Sequence, residues 1–262
     1  VHQVRLFFTA LQFFTRLPIP GWVGFDPAWL NQAARYFPLV GVVVALITGA
    51  SYALAAWFLP EAAAAVISTA VGIYITGAFH EDGFADMCDG FGGGMTQARI
   101  LEIMKDSRIG AYGAIGMVCM LALKLTTLSM LPPLAAIGAL LTAHPLSRLM
   151  ATTLIWRLDY ARAEGKAKPL AQQINTSEFL IAAFTAMLPA LLVAWLHWLP
   201  SHALVYGVIA MATATLWLAR LFVRRIGGYT GDCLGAVQQV TEVLLYVAVL
   251  ASFQHGALSA WS

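Results

Sequence analysis

The chain has 262 residues, 60% of them hydrophobic and 11% charged, with a mean hydropathy of +0.76. A soluble domain carries about 25% charged residues, so this composition excludes a water-soluble globular protein and predicts an all-α, polytopic membrane bundle. The net charge of +2 carries no nucleic-acid signal and there is no basic arm, so no nucleic-acid partner is expected, and three scattered cysteines (Cys88, Cys119, Cys233) make neither a disulfide framework nor a zinc site.

In chain order, "VHQVRLFFTALQFFTRLPIP" reads as an amphipathic, interfacial helix stopped by Pro18 and Pro20. It lacks an apolar core followed by a small-residue cleavage site, so a signal peptide is not expected. Apolar runs then predict about seven transmembrane helices, over 38–59, 62–79, 109–131, 134–156, 179–199, 203–223 and 234–253. Their links alternate in basic charge. Arg5, Arg16 and Arg35 precede the first span, and Arg99, Lys105 and Arg108 follow the second. Arg157, Arg162, Lys166 and Lys168 follow the fourth, and Arg220, Arg224 and Arg225 precede the last. The links at Pro60, Pro132 and Pro200, and the tail "QHGALSAWS", carry no Lys or Arg. This alternation predicts a cytoplasmic amino end and an outward carboxyl end. The basic links are also the long ones, so chemistry is expected on the cytoplasmic loops. No internal repeat or soluble segment interrupts the pattern, and residues 1–262 are expected to form a single membrane domain.

The polar exceptions are concentrated. "HEDGFADMCDGFGGG" follows directly on an apolar run. On a helix, Asp82, Asp86 and Asp89 fall at about 0°, 40° and −20°, one narrow face, with Glu81 at its edge. Like charges so spaced destabilise a helix, and near hydrocarbon each costs about 2.5–3.5 kcal/mol. A cation must offset them. Oxygen-only donors suit a hard divalent ion, Mg²⁺ or else Mn²⁺, better than zinc. In "ARILEIMKDSRIGAYGAIG", Asp106 is a fourth candidate ligand, and Lys105 and Arg108 are candidates to hold phosphate oxygens. The alternative there is an interfacial helix with intrahelical ion pairs such as Arg99 to Glu102. "RRIGGYTGDCLGA" adds Arg224, a loop at Gly227 and Gly228, and Asp232 at a helix start, where backbone N–H groups can bind phosphate. Within the spans, Lys124, His144, Arg148, Gln239 and Glu242 are polar intruders that either face the bundle interior or neutralise one another. Walker, H-E-x-x-H and G-x-S-x-G signatures do not occur.

Taken together, "FFTRLPIP", "FHEDGFADMCDG", "LEIMKDSRIGAYG", "YARAEG" and "GGYTGDCLGA" resemble the motifs of the adenosylcobinamide-GDP ribazoletransferase (cobalamin-5′-phosphate synthase) family, in order and over nearly the whole chain. The resemblance implies a Mg²⁺-dependent transferase in the bacterial inner membrane, acting late in cobalamin assembly. A hydroxyl of α-ribazole or its 5′-phosphate attacks the cobinamide-linked phosphorus, and GMP leaves. It implies metal binding by Asp82, Asp86, Asp89 and Asp106 with Glu81 beside them, and Asp89 as proton acceptor. Substrate contacts are expected from His80, Lys105, Arg108, Arg224, Gly227, Gly228 and Asp232. The partners implied are the corrinoid nucleotide, the ribazole and the lipid bilayer, with homo-oligomers or other late cobalamin enzymes left open. The acidic string is also similar to that of CDP-alcohol phosphotransferases, but Asp86 stands after Ala85 where that family has Arg, which argues against a phospholipid product. A transporter is the more distant alternative.

Overall fold

The computed structural model describes residues 1–24, 26–161 and 173–259. Its helices are α1 (His2–Phe14), α2 (Pro27–Ala33), α3 (Phe37–Ala56), α4 (Glu61–Thr76), α5 (Phe79–Gly93), α6 (Gln97–Ile103), α7 (Ala111–Ser129), α8 (Pro133–Arg157), α9 (Thr176–Trp195), α10 (Ser201–Ile226) and α11 (Gly231–Ser259). A 3₁₀ turn over Ala34–Tyr36 joins α2 to α3. Among the described residues no strand forms, and a single parallel bridge joins Tyr160 to Tyr229.

Six segments are long and apolar enough to cross a bilayer: Ala28–Ala56, Ala111–Ser129, Pro133–Arg157, Thr176–Trp195, Ser201–Ile226 and Gly231–Gln254. They match six of the seven predicted spans, so the chain is a multi-pass helical membrane protein. α8 and α11 are 78% and 67% buried over their most apolar stretch, against 22–44% for the other four segments. Those two helices are therefore the axis of the bundle. The outer helices turn Leu54, Phe184, Leu191 and Trp217 outward, an arrangement that hydrocarbon tolerates and water does not.

The predicted span over 62–79 comes out differently. α4 has only 16 residues, about 24 Å at 1.5 Å per residue, against a hydrocarbon core of about 30 Å. Gly77 (φ +65°) and Ala78 (φ +57°) then take successive left-handed conformations, and the chain turns by 89° into α5. Counted as one broken span, the pair brings the total to seven. The apolar run is continuous through the break, so hydropathy reads one rod where the backbone makes a corner. Gly77 is the α4 C-cap, the position where glycine avoids a Cβ clash. Arg16 closes the corner: its N–H donates to the Ile75 carbonyl at 2.7 Å, and its guanidinium lies against Gly77. A cation there complements the negative end of α4.

α1 buries Leu6, Ala10, Leu11 and Phe14, as its amphipathic pattern predicts. Phe14 meets Phe37 edge-on at 4.6 Å and stacks on His80 at 5.5 Å. The amino-terminal helix is thus packed against the start of α5.

Candidate functional site

α5 carries the acidic string and packs against α11 and α7. Two glycines set the α5–α11 crossing. A Cβ on Gly83 would stand 3.0 Å from the Asp232 Cα, and one on Gly235 would stand 3.1 Å from the His80 carbonyl oxygen. Small residues permit such backbone approach. Asp232 consequently begins α11 alongside the acidic helix, and accepts a hydrogen bond from the Thr230 hydroxyl at 3.3 Å.

The acids of α5 then divide by direction. Asp82 is exposed and Asp86 half-buried, one turn apart on one face. Asp89 is buried; its carboxylate accepts the Gly110 N–H at 2.6 Å and the Gly113 N–H at 2.8 Å. It is in effect the N-cap of α7, supplied by another helix, and it satisfies backbone donors that a helix start leaves open. Gly113 is required for this contact, because a Cβ there would lie 2.3 Å from Asp89 Oδ2. Glu81 turns away from Asp82, is buried, and accepts from Gln239 Nε2 at 2.9 Å. His80 is buried against Phe14.

Asp106 lies in the link before α7. Arg108 donates to it through Nε at 3.0 Å and Nη2 at 2.7 Å, and through its backbone N–H at 3.1 Å. These bonds to Arg108 hold the Asp106 carboxyl below the ordinary carboxylate range. Lys105 is exposed beside it. Arg99 pairs with Glu102 at 2.9 Å on the surface of α6, the ion pair that helical spacing predicts.

Arg224 is exposed on the last turn of α10. Its neighbour Arg225 donates to the Gly94 carbonyl at 2.7 Å, and Gln97 donates to the Ile226 carbonyl at 2.8 Å. These two bonds tie the α5–α6 link to the end of α10. The chain itself needs both loop glycines: Gly227 is a left-handed cap (φ +80°), and a Cβ on Gly228 would stand 2.2 Å from the Asp159 carbonyl oxygen. That closeness permits the Tyr160–Tyr229 bridge, with the Tyr229 N–H donating to Asp159 at 3.0 Å and the Ala161 N–H to Tyr229 at 2.8 Å. Arg162, Lys166, Lys168 and most of "YARAEG" lie outside the described residues.

The predicted site residues of α5, the 105–108 link, the α10 end and the α11 start therefore gather at one end of the bundle. Among the described residues, no three His, Cys, Asp or Glu side chains converge closely enough to hold a metal ion unaided. The bonds at Asp89 and Asp106 and the inward turn of Glu81 are the physical reason. The donor chemistry still fits Mg²⁺, which is commonly held by one or two carboxylates plus substrate phosphates. Asp82 and Asp86 supply that pair on one face.

Deeper in the bundle, Lys124 and Glu242 neutralise one another. Lys124 pairs with Glu242, which also accepts from the Tyr246 hydroxyl at 3.0 Å and from Gln238, with His144 Nδ1 3.2 Å away. Sequence reasoning missed Gln238 and Tyr246, whose spacing of −4 and +4 from Glu242 is the available signal. It also missed Gly110 and Gly113, for which no pattern in the sequence names a carboxylate partner.

The family model described as "Cobalamin-5-phosphate synthase" matches residues 6–250. An adenosylcobinamide-GDP ribazoletransferase of Shewanella frigidimarina is 44% identical, over 96% of each chain. Relatives with the same name from Leptothrix cholodnii and Ralstonia pickettii are 42% and 45% identical, over 96% and 93% of this chain and 97% and 94% of theirs. No solved structure matches significantly. With a family match over nearly all its length and full-length relatives at this identity, the chain belongs to the cobalamin-5-phosphate synthase family.

Proposed function

We propose that the chain is a Mg²⁺-dependent phosphotransferase that joins adenosylcobinamide-GDP to α-ribazole or its 5′-phosphate and releases GMP. The observation that carries this reading is the open face of Asp82 and Asp86 at the end of the bundle where Asp106, Arg108, Arg224 and Asp232 also gather. Full-length relatives that bear this activity in their names support the substrate assignment.

Asp82 and Asp86 would hold Mg²⁺, with Asp106 and Asp89 completing the acidic set around them. A bound divalent ion supplies charge neutralisation on the diphosphate and on the leaving GMP. Lys105, Arg108 and Arg224 hold phosphate oxygens, with the Gly227–Gly228 loop beside the substrate, while His80, buried against Phe14, supports α5 from behind. The ribazole oxygen bonds to the cobinamide-linked phosphorus, the bond from that phosphorus to GMP breaks, and the hydroxyl proton passes to a carboxylate of this face. Both Asp89 oxygens already accept N–H groups from α7, so the exposed Asp82 is the better proton acceptor. Charge alternation of the loops supports a cytoplasmic orientation for this end, in the inner membrane of a bacterium.

Purified protein with Mg²⁺, cobinamide-GDP and ribazole phosphate is the test. The expected outcome is a coupled corrinoid product by chromatography with stoichiometric GMP. Turnover of CDP-diacylglycerol instead would assign a phospholipid synthase.

A further inference from the structure

A polar cavity lies at the centre of the bundle, walled by α3, α4, α5, α7, α8 and α11. Thr69, His80, Glu81, His144, Arg148 and Gln238 are among its lining residues. It offers about 20 Å³ to the centre of a water molecule, which is room for roughly one or two waters.

The bonding on its walls is incomplete in a specific way. Glu242 is fully engaged by Lys124, Gln238 and Tyr246. Arg148 is 3% exposed and donates from Nη1 to the His144 carbonyl at 2.9 Å. Among the described residues, no carboxylate pairs with it, and its Nε has no partner. Glu81 is 9% exposed; one oxygen accepts from Gln239, and Oε2 has no partner among the described residues. Thr69 Oγ1 and Gln238 Oε1 are in the same state. A buried cation and a buried carboxylate thus share one small cavity, each with one unused atom of complementary kind. Buried polar atoms normally find a partner, and a polar cavity of this size is where ordered water supplies it.

We propose that the cavity holds ordered water completing the bonds of Glu81 Oε2 and Arg148 Nε, and that Glu81 is a positioning residue fastening α5 to α8 and α11 rather than a metal ligand. The proposal rests on the reading of α5 as the helix presenting the catalytic carboxylates. Glu81 and Asp82 are consecutive and point about 100° apart. Anchoring Glu81 inward therefore fixes the rotation of α5 that keeps Asp82 and Asp86 on its open face. Glu81 thereby adds a second counter-charge for Arg148 beside Glu242, whose hydrogen bonds go to Lys124, Gln238 and Tyr246.

The test uses the full chain in detergent, with turnover normalised to folded protein. Glu81→Gln is expected to lower kcat about 10–100-fold, the range for loss of an orienting partner. KM for cobinamide-GDP and the half-saturating Mg²⁺ concentration stay within about twofold, as a positioning role requires. Gln239→Leu, which removes the bond to Glu81 and leaves every carboxylate in place, reproduces that profile. In melting experiments Glu81→Gln and Arg148→Met each lower Tm, and the double variant recovers most of the loss because no buried charge is left alone. A rise of about tenfold or more in the Mg²⁺ requirement of Glu81→Gln, as expected of a lost ligand, would overturn the proposal. So would additive Tm losses. If Arg148→Met yields no folded protein, Gln239→Leu decides, and wild-type turnover in that variant overturns the assignment. If the wild-type protein releases no GMP at all, the functional reading has failed, and the melting cycle alone still supports the network by recovery or overturns it by additivity.

Discussion

Asp89 and Asp106 belong to the predicted acidic set, and both already have bonding partners. Asp89 holds the start of α7 through two backbone N–H groups, and Asp106 is clasped by Arg108. Periodicity could place Asp89 on a face with Asp82 and Asp86, because three positions on one helix share a fixed geometry. It could not find Gly110 and Gly113, which are distant in sequence and carry no side-chain signal. Nor could it show that Glu81 turns toward Gln239, since that depends on where α11 runs. The Asp106–Arg108 pair yields a direct titration test. The pairing lowers the Asp106 carboxyl, so its stabilising effect is present above the ordinary carboxylate pKa and is lost as pH falls through the lowered value. Arg108→Gln is expected to return the Asp106 midpoint toward about 3.9, read by carboxylate ¹³C resonances of labelled aspartate. An unmoved midpoint would mean that the pair does not form in solution.

At the level of elements, the corner between α4 and α5 is the feature that hydropathy could not supply. Six spans were legible because about 20 apolar residues in a row have few other uses. The seventh reads as a rod, although its last residues are two consecutive left-handed ones, Gly77 and Ala78. Only Gly77 suits that conformation without a Cβ penalty. Ala78→Gly is therefore expected to be neutral or stabilising by up to about 1 kcal/mol. Gly113→Ala puts a methyl group onto Asp89 and is expected to destabilise by about 1–3 kcal/mol, as overpacking does. Denaturant unfolding in mixed micelles measures both. Equal effects of the two substitutions would contradict the account of the corner and of the α5–α7 contact.

Across the whole molecule, composition and loop charge were enough to predict a membrane bundle with its chemistry at one end. The structure adds that α8 and α11 form the buried axis, and that α5 is laid across the start of α11 through the Gly83–Asp232 and Gly235–His80 approaches. The same end collects the 105–108 link and the α10 terminus, which sequence spacing alone could not bring together. Family membership explains why these distant motifs occur in one order, and the packing explains how they meet. The central claim is that the open face of α5 carries Mg²⁺-dependent transfer, and its most direct test is GMP release by Asp82→Ala against the wild type across a Mg²⁺ titration, in membranes where both insert equally. The account expects turnover to fall by about 100-fold or more, the scale for removing an interaction made to the reacting phosphates. Near-normal, Mg²⁺-dependent GMP release by Asp82→Ala would contradict it.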